Sequence, residues 1–507
     1  MKNRRYIYKG LAVVMLAGLS FSSLSCNGDY IGDVENIGTF DDVNYFKSEE
    51  QCLSATASVY DIMKKYAGGF ENMVTFLNAG SDDFYSGGGS ATDGAGIQGF
   101  NNFTINEITM PGSYWRDYYQ GVARANWVIQ RMPDSPVSDS FKKRIVAEVT
   151  VLRSLYYFEL VRMFGNVPLI LTPIGANDDY WNIPQNTPAE VYAQIESDLV
   201  KSIDDLPMTV AGDERGRITQ GSARAILGKI YLYNNKKAEA ATQLALVNGT
   251  PGGTSQFGYK LVANYDDLWV TDNKFTTESV LEAVYTNKGM SDWGFWGWGK
   301  DEGNSICIMT GPRSYNYKSG DAPKLVSGWA FNTATEGLFN ALNGDPRLNA
   351  TILDMNKLQA DGKASYSPAY ADTGYFLKKY APFEANKSTL PGAMELNFRQ
   401  NYIAIRLADT YLMEAEALGG TGARAQALLD AVRSRVKLAS VPVSMQAIKD
   451  ERRKELAGEG HRFYDLVRWG EASSKLASKG FKAGKNEILP IPYNELLNTA
   501  IKQNPNY

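Results

Sequence analysis

Histidine is almost absent from this sequence, which has one His among 507 residues. A single histidine excludes His-rich metal sites and the H-E-x-x-H zinc motif. A Ser-His-Asp triad would have to use His461, which follows Gly458, Glu459 and Gly460 where a charged helix is predicted to end. A histidine in that position more often caps a helix C-terminus or joins an ion-pair network, so we favour a structural role for it.

Cysteine and net charge are also low, with three cysteines and a formal net charge of −4. Cys52 and Cys307 are far apart in sequence, and either a disulfide or two buried free thiols is compatible with them. A mildly acidic chain without a Lys/Arg cluster beyond its N-terminus gives no support to nucleic-acid binding. No Asp-x-Asp-x-Asp-Gly loop occurs, so we predict no metal or other cofactor, and calcium binding has no motif to support it.

Long apolar runs are missing except near the N-terminus. A basic stretch, residues 1–9, precedes GLAVVMLAGLSFSSL (residues 10–24), which is shorter than the roughly 20 apolar residues that span a bilayer. Cys26 then follows small residues, as in a bacterial lipoprotein signal whose cysteine carries lipid. We therefore predict a lipoprotein signal peptide over 1–25 and a lipid-anchored tether over 26–46, with an ordinary cleaved signal peptide as the alternative.

Apolar residues at steps of three and four predict that the remainder is mostly α-helical. The predicted helices are 115–132, 145–163, 187–206, 223–233, 238–247, 402–415, 425–436 and one that starts at Ser444. Between about 248 and 397 the chain is instead rich in Gly, Pro, Asn and aromatics, with strand-like runs such as Ser279–Tyr285. The sequence therefore predicts a single domain over 47–507, built of tetratricopeptide-like helix pairs and interrupted by a long loop-rich insertion with short strands.

One charged segment carries a family resemblance. Glu451 to Gly470, ERRKELAGEGHRFYDLVRWG, closely resembles the C-terminal signature of the SusD/RagB family of nutrient-binding lipoproteins. Four other stretches resemble that family in the same order, and they are EVTVLRSLYYFELVRMFGNVPLI (148–170), GWAFNTATEGLFNALNGDPR (328–347), YIAIRLADTYLMEAEAL (402–418) and ILPIPYNELLNTAIKQNPNY (488–507). The resemblance covers nearly all of the chain after the leader, and it favours a scaffold role for the charged segment over a catalytic one.

The resemblance implies a mostly α-helical SusD-like fold without catalytic activity. It implies a surface-exposed outer-membrane lipoprotein of a Gram-negative bacterium, which captures a glycan and delivers it to a SusC-like TonB-dependent transporter. A peptide-binding receptor of the RagB type is the alternative. A glycoside hydrolase is less favoured, because adjacent acids such as Asp82 and Asp83 do not create the carboxylate spacing of such enzymes and are expected to be solvated turn residues.

Aromatic residues in loops are the predicted ligand contacts, because flat rings pack against the C–H faces of sugars. The strongest segment is SDWGFWGWGKDEGN (291–304), and weaker ones are SDDFYSGGGS and SYNYKSG. The candidate residues are Trp293, Trp296, Trp298, Phe84, Tyr85, Tyr315 and Tyr317. The resemblance implies binding aromatics in an early loop and in the insertion, without assigning them residue by residue.

Four further tryptophans are expected to be structural. Trp115, Trp127 and Trp469 follow helical patterns and are predicted to be in the core, and Trp329 belongs to the family-like GWAFN run.

Overall fold

The computed structural model describes residues 45–175, 177–289 and 302–507. Cys26, Trp293, Trp296 and Trp298 lie outside these ranges, as do the predicted signal peptide and nearly all of the tether. Within the described ranges, every helix is too short or too polar to span a membrane.

The first half of the chain is helical, as predicted. Its helices are α1 (Glu49–Tyr60), α2 (Met73–Ala79), α3 (Ala95–Asn101), α4 (Ser113–Arg131), α5 (Asp139–Phe164), α6 (Pro188–Ser202), α7 (Gln220–Tyr233) and α8 (Lys237–Asn248). From α4 to α8 each helix packs against the next one along the chain, which is the arrangement expected of stacked helix pairs.

Local signals fix several of these helix ends. Gly165 ends α5 with a φ of 71°, a backbone conformation that favours glycine. Thr187 and Glu190 form a capping box at the start of α6, with Pro188 at its first position. Both boundaries were predicted from the sequence.

Helices return after the insertion. They are α13 (Leu407–Ala417), α14 (Gly422–Arg435), α15 (Met445–Glu455), α16 (Arg462–Arg468), α17 (Ala472–Lys475) and α18 (Tyr493–Leu496). Helix α13 packs on α8, α14 and α15. The helices that follow the insertion in sequence therefore continue the helical stack that precedes it.

The insertion consists of loops, short helices and three two-stranded ladders. Its helices are α9 (Ile306–Thr310), α10 (Glu336–Leu342), α11 (Leu348–Thr351) and α12 (Met355–Ala360). The strands are β1 (Ser279–Ala283), β2 (Asn316–Tyr317), β3 (Ile352–Asp354), β4 (Ala364–Ser365), β5 (Tyr375–Leu377) and β6 (Tyr402–Arg406), and they pair antiparallel as β1·β6, β2·β4 and β3·β5. A small apolar core that includes Leu353, Met355 and Phe376 holds the insertion together.

The prediction of a helix from Tyr402 is wrong for its first turn. Residues Tyr402–Arg406 form β6, whose residues Tyr402 and Ile403 lie opposite Ala283 and Glu282 of β1. The run YIAIR is rich in β-branched and aromatic residues, which favour a strand where a partner strand is available. The helix begins only at Leu407, so the pairing partner, which the local pattern does not show, decides the boundary.

The charged segment Glu451–Gly470 lies within a buried ion-pair network. The cations of this network are Arg347, Lys379, Arg406, Arg433 and Arg435, and its carboxylates are Glu278, Asp345, Glu451, Glu455 and Glu459. Arg406 is 1% exposed and bonds to Glu278 at 3.0 Å, Glu455 at 2.5 Å and Glu459 at 2.8 Å. Burial alone would raise the pKa of Glu455, but the guanidinium groups of Arg435 and Arg406 hold it well below its usual range.

His461 is a buried structural residue, as favoured from the sequence, although it directly precedes helix α16 instead of closing α15. Burial and the nearby Lys229 lower the pKa of His461 to about 4, while Asp409 and Glu459 oppose this shift. Its imidazole is therefore neutral at pH 7.

The two cysteines of the described residues, Cys52 and Cys307, are free and buried. This resolves the alternative left open by the sequence in favour of two thiols. Burial raises the pKa of the Cys307 thiol.

Of the four tryptophans expected to be structural, Trp115 is in the core at 4% exposure, and Trp329 and Trp469 are half-buried. The expectation for Trp127 is wrong, because its side chain is 38% exposed. Trp127 lies on the solvent-facing side of α4, where Ala123 and Gln130, four residues before it and three after it, are also exposed.

Candidate functional site

The Gly/Ser-rich loop at residues 84–93, which we call the Gly/Ser loop, lies against the loop-rich insertion. Backbone hydrogen bonds join Tyr85 N to Thr333 O (2.9 Å), Gly88 N to Ala330 O (2.8 Å) and Tyr370 N to Gly88 O (3.0 Å). Isolated antiparallel bridges pair Phe84 with Ala334 and Gly87 with Phe331. Two segments separated by more than 200 residues of sequence thus form one continuous surface.

Glycines allow this close approach. Gly87 has a φ of 66°, and a Cβ atom placed there would lie 2.1 Å from the carbonyl oxygen of Ala330. Gly88 has a φ of 91°, and its Cβ would lie 2.7 Å from the ring of Phe331. Larger residues at either position would push the loop away from the insertion.

Hydrogen bonds from two side chains, Gln98 and Lys479, hold the Gly/Ser loop in place. The amide nitrogen of Gln98 donates to the carbonyls of Gly87 (2.8 Å) and Asp93 (3.1 Å), and its oxygen accepts from the Ser86 hydroxyl (2.6 Å). Lys479 donates to the carbonyl of Phe84 at 2.6 Å. The loop is therefore built into the structure before any ligand arrives.

The acids before this loop also fix its position. Asp82 accepts two hydrogen bonds of 2.8 Å from Arg462, and Asp83 pairs with Arg453 at 2.6 Å. Asp83 is 1% exposed, so the expectation that these adjacent acids are solvated turn residues is wrong for Asp83. The charged C-terminal segment thereby anchors the start of the Gly/Ser loop.

Aromatic and polar side chains meet where the two segments join, and we call this surface the loop face. It comprises Phe70, Asp93, Arg313, Trp329 and Tyr370. The rings of Phe70 and Trp329 are 6.4 Å apart and tilted by 44°, and both are half-buried. Nη1 of Arg313 lies 3.9 Å from Oδ2 of Asp93 and 3.4 Å from the carbonyl oxygen of Trp329.

The chemistry of the loop face suits a neutral, hydroxylated ligand. The side chains of Arg313 and Asp93 are 38% and 37% exposed, so a guanidinium donor and a carboxylate acceptor stand beside partly exposed rings. Tyr370 is 37% exposed on the same surface. This combination of apolar ring faces and a few convergent polar groups is typical of small-molecule sites.

The structure separates the predicted aromatic candidates. Tyr85 and Tyr317 are exposed at 37% and 39%. Phe84 is 1% exposed, so its ring has no face for a ligand, and the structure corrects its inclusion as a contact. Tyr315 is 8% exposed and its hydroxyl donates to Pro323 O at 2.5 Å, so it is a core residue of the insertion; burial raises its pKa to about 12.

The tryptophan segment lies outside the described residues, but both of its flanks are described. Gly289 accepts a hydrogen bond from Asn397 at 3.1 Å, and Glu302 pairs with Lys64 at 2.9 Å. Farther along, the Ser305 hydroxyl accepts from Gly69 N at 2.9 Å, directly beside Phe70. The C-terminal flank of the segment therefore contacts Lys64 and Gly69, which precede Phe70 of the loop face in the sequence.

A cleft of about 500 Å³ lies between α1, residues 213–217 and the end of β1. Its aromatic lining residue, Tyr60, uses its hydroxyl internally, since it donates to Glu148 at 2.9 Å and accepts from Ile218 N at 2.8 Å. The rest of the lining mixes ion pairs with aliphatic side chains such as Leu53 and Val284. With Tyr60 as the one ring in its described lining, this cleft offers less aromatic surface than the loop face and is a poorer sugar site.

Sequence reasoning missed Phe70, Asp93, Arg313 and Tyr370, and it assigned Trp329 to the scaffold. Asp93 ends the Gly/Ser loop and Arg313 follows a Gly-Pro pair, but nothing local links residues so far apart. The signal that did work was composition, because it identified the Gly/Ser loop and the insertion, which supply all of these residues except Phe70.

Comparison with protein families finds two matches along the chain. A model described as "SusD family" matches residues 313–507, and one described as "Starch-binding associating with outer membrane" matches residues 46–232. Together the two matches contain every residue of the loop face. Phe70 and Asp93 lie in the second match, and the first contains Arg313, Trp329 and Tyr370.

Several known proteins are similar over most of their length. A solved structure named "Laminarin binding SusD-like protein" is 58% identical, with a TM-score of 0.90, covering 91% of this chain and all of that one. Surface glycan-binding protein A from Bacteroides thetaiotaomicron, solved in complex with laminarihexaose, is 26% identical with a TM-score of 0.80, covering 90% of this chain and 99% of that one. A SusD-like protein from Bacteroides ovatus is 25% identical in an alignment of 498 positions that covers 92% of this chain and 83% of the relative.

Proposed function

The chain belongs to the SusD family, and we propose that it is a glycan-binding protein that captures a laminarin-type glucan at the loop face. The observation that carries this proposal is the 58% identity, over 91% of the chain, to a protein described as laminarin-binding. The laminarihexaose complex of a second, more distant neighbour supports the same ligand class. The mixed ring and polar character of the loop face gives this ligand a place to bind.

The physical argument rests on the two sides of a glucose unit. Its axial C–H bonds form an apolar face that packs on rings such as those of Phe70 and Trp329, and its hydroxyls need donors and acceptors at the edge. Arg313 and Asp93 supply both within the same surface. Because the Gly/Ser loop is held by Gln98 and Lys479, little ordering entropy is lost when the ligand binds.

We extend the binding surface to the tryptophan segment. Trp293, Trp296 and Trp298 are proposed to add ring faces beside Phe70, since Glu302 and Ser305, which follow this segment, contact Lys64 and Gly69 just before Phe70. The exposed rings of Tyr85 and Tyr317 are proposed as outer contacts.

We further propose that the protein is a non-catalytic lipoprotein of the outer membrane that passes its ligand to a SusC-like TonB-dependent transporter. Lipid on Cys26 would hold it there. The family description that refers to association with the outer membrane supports this location. Mass spectrometry of membrane-fraction protein should find acyl mass on an N-terminal Cys26, and an unlipidated N-terminus elsewhere would contradict the anchor.

Calorimetric titration with laminarihexaose tests the ligand and the site together. Trp296→Ala should weaken binding by about 2 kcal/mol if Trp296 is a central anchor. Tyr493→Ala is the control, because Tyr493 is 49% exposed and lies outside the loop face. Equal affinity of the two variants would reject the tryptophan segment. A wild-type protein that binds peptide mixtures but no glucan would instead be a peptide receptor.

A further inference from the structure

A second cleft lies on the helical body. It has a volume of about 360 Å³ and is formed by helix α4, residues 168–174, residues 180–183 and the C-terminal residues Glu495 and Ile501. Its lining is rich in rings, and we call it the aromatic cleft. The ring-bearing residues are Trp115, Tyr119, Trp127 and Tyr180.

Two of these rings form a fixed floor and two are open to solvent. Trp115 and Tyr119 lie 5.0 Å apart, and the Tyr119 hydroxyl donates to Pro168 O at 2.8 Å. Trp127 and Tyr180 are 38% and 50% exposed. The aromatic cleft thus offers more accessible ring surface than the 500 Å³ cleft, whose described lining has one ring, that of Tyr60.

The wall of the aromatic cleft is preformed. The Asn126 side-chain amide donates to Ile170 O at 3.0 Å and to Thr172 O at 3.2 Å, and its oxygen accepts from Arg153 at 2.8 Å. Arg153 is in turn paired with Asp198 at 2.8 Å. These bonds hold the 168–174 segment on α4 at the distance that creates the cleft.

The polar groups of the lining restrict the ligand. Among the described residues that line the cleft, Glu495 is the charged one, and burial raises the pKa of its carboxyl group. A lining with an acid and no basic residue disfavours phosphates and other anions. A carboxyl group beside several rings instead suits a neutral ligand with hydroxyls on its edge and C–H groups on its face.

We propose that the aromatic cleft is a second glucan-binding site, separate from the loop face. It takes one or two hexose units of the same glucan. This inference rests on the proposed function for its ligand class. The two sites share no residue, since the loop face is built from residues 70–93, 313–329 and 370. A polymer that engages both sites gains avidity that a short oligosaccharide does not.

The test uses the full protein labelled with 5-fluorotryptophan and observed by 19F NMR. The Trp127 signal is assigned as the resonance that disappears in Trp127→Phe. Laminarihexaose should shift this signal along a saturating curve, and the shift should persist when the loop face is weakened by Trp329→Ala. In Tyr180→Ala the apparent Kd should rise at least about tenfold, which corresponds to roughly 1.4 kcal/mol.

Tyr493→Ala is the matched control for Tyr180→Ala. The two tyrosines are similarly exposed, at 49% and 50%, but only Tyr180 lines the cleft. An unmoved Trp127 signal in a sample whose calorimetry shows glucan binding would overturn the second site and leave the proposed function intact. A Trp127 signal that responds to an apolar peptide and not to glucan would overturn it in favour of a protein partner. Absence of glucan binding by both methods would reject the proposed function itself.

Discussion

Charged residues are used in opposite ways in the buried network and on the loop face. In the network, Arg406 is 1% exposed and is surrounded by Glu278, Glu455 and Glu459. On the loop face, the side chains of Arg313 and Asp93 are more than a third exposed and 3.9 Å apart. The first arrangement satisfies its charges internally, and the second keeps donors and acceptors available to a ligand. Density of charge in a sequence is therefore a poor guide to function when burial is unknown.

The largest expected effect comes from breaking the buried network. Arg406→Met removes the cation and leaves Glu278, Glu455 and Glu459 close together, which should lower the free energy of unfolding by about 3–5 kcal/mol. Urea denaturation measures this loss. Arg313→Met is the exposed counterpart and should cost less than about 1 kcal/mol. Similar losses for the two variants would mean that the network does not stabilise the fold as its burial indicates.

The next effect should appear in binding. Trp329→Ala should weaken laminarihexaose binding by about 2 kcal/mol, since it removes one of the two rings at the centre of the loop face. Calorimetric titration gives this value, and Arg406→Met provides the contrast, because a network variant that remains folded should keep its affinity. Unchanged affinity in Trp329→Ala would return Trp329 to the purely structural role that its sequence context suggests.

A change in stability of similar size should appear on acidification, because His461 is buried as a neutral side chain. The pKa of His461 is about 4 in the folded protein and about 6.5 in the unfolded chain, so the unfolded chain binds the proton more readily. The free energy of unfolding should therefore fall as pH drops from 6.5 toward 4, by about 2 kcal/mol at pH 5. Urea denaturation at pH 7 and pH 5 should show this decline in the wild type and not in His461→Gln. A decline of equal size in the variant would assign the pH dependence to other groups.

The sequence predicted helices α4–α8 and α13–α15 and the family, and the structure and the comparisons confirm them apart from the start of α13. Regular spacing and local caps such as Thr187–Glu190 are properties of short segments, so they can be read without knowing the fold. Strand β6 was mistaken for a helix because its pairing with β1 involves residues more than 100 positions away. Local pattern loses its predictive power where long-range pairing decides the structure.

The binding surfaces were less predictable for the same reason. Composition identified the Gly/Ser loop and the insertion, but the meeting of Asp93 with Arg313 depends on the packing of Gly87 and Gly88 against residues 330–331. Trp127 was expected in the core, but it lies on the solvent-facing side of α4 together with Ala123 and Gln130. The assignment of Trp293, Trp296 and Trp298 to the ligand stays a prediction.

The pairing of β1 with β6 closes the base of the region between residues 283 and 402, which holds most of the insertion, and Arg406 bonds to Glu278 beside this pair. A region closed at its base can change length at low cost, because doubling a flexible loop adds only about 0.6 kcal/mol of closure entropy. Over evolutionary time, such a region can acquire new segments and new specificities while the helical body stays constant. The Gly/Ser loop must diversify together with it, because Gly87 and Gly88 pack directly on its surface.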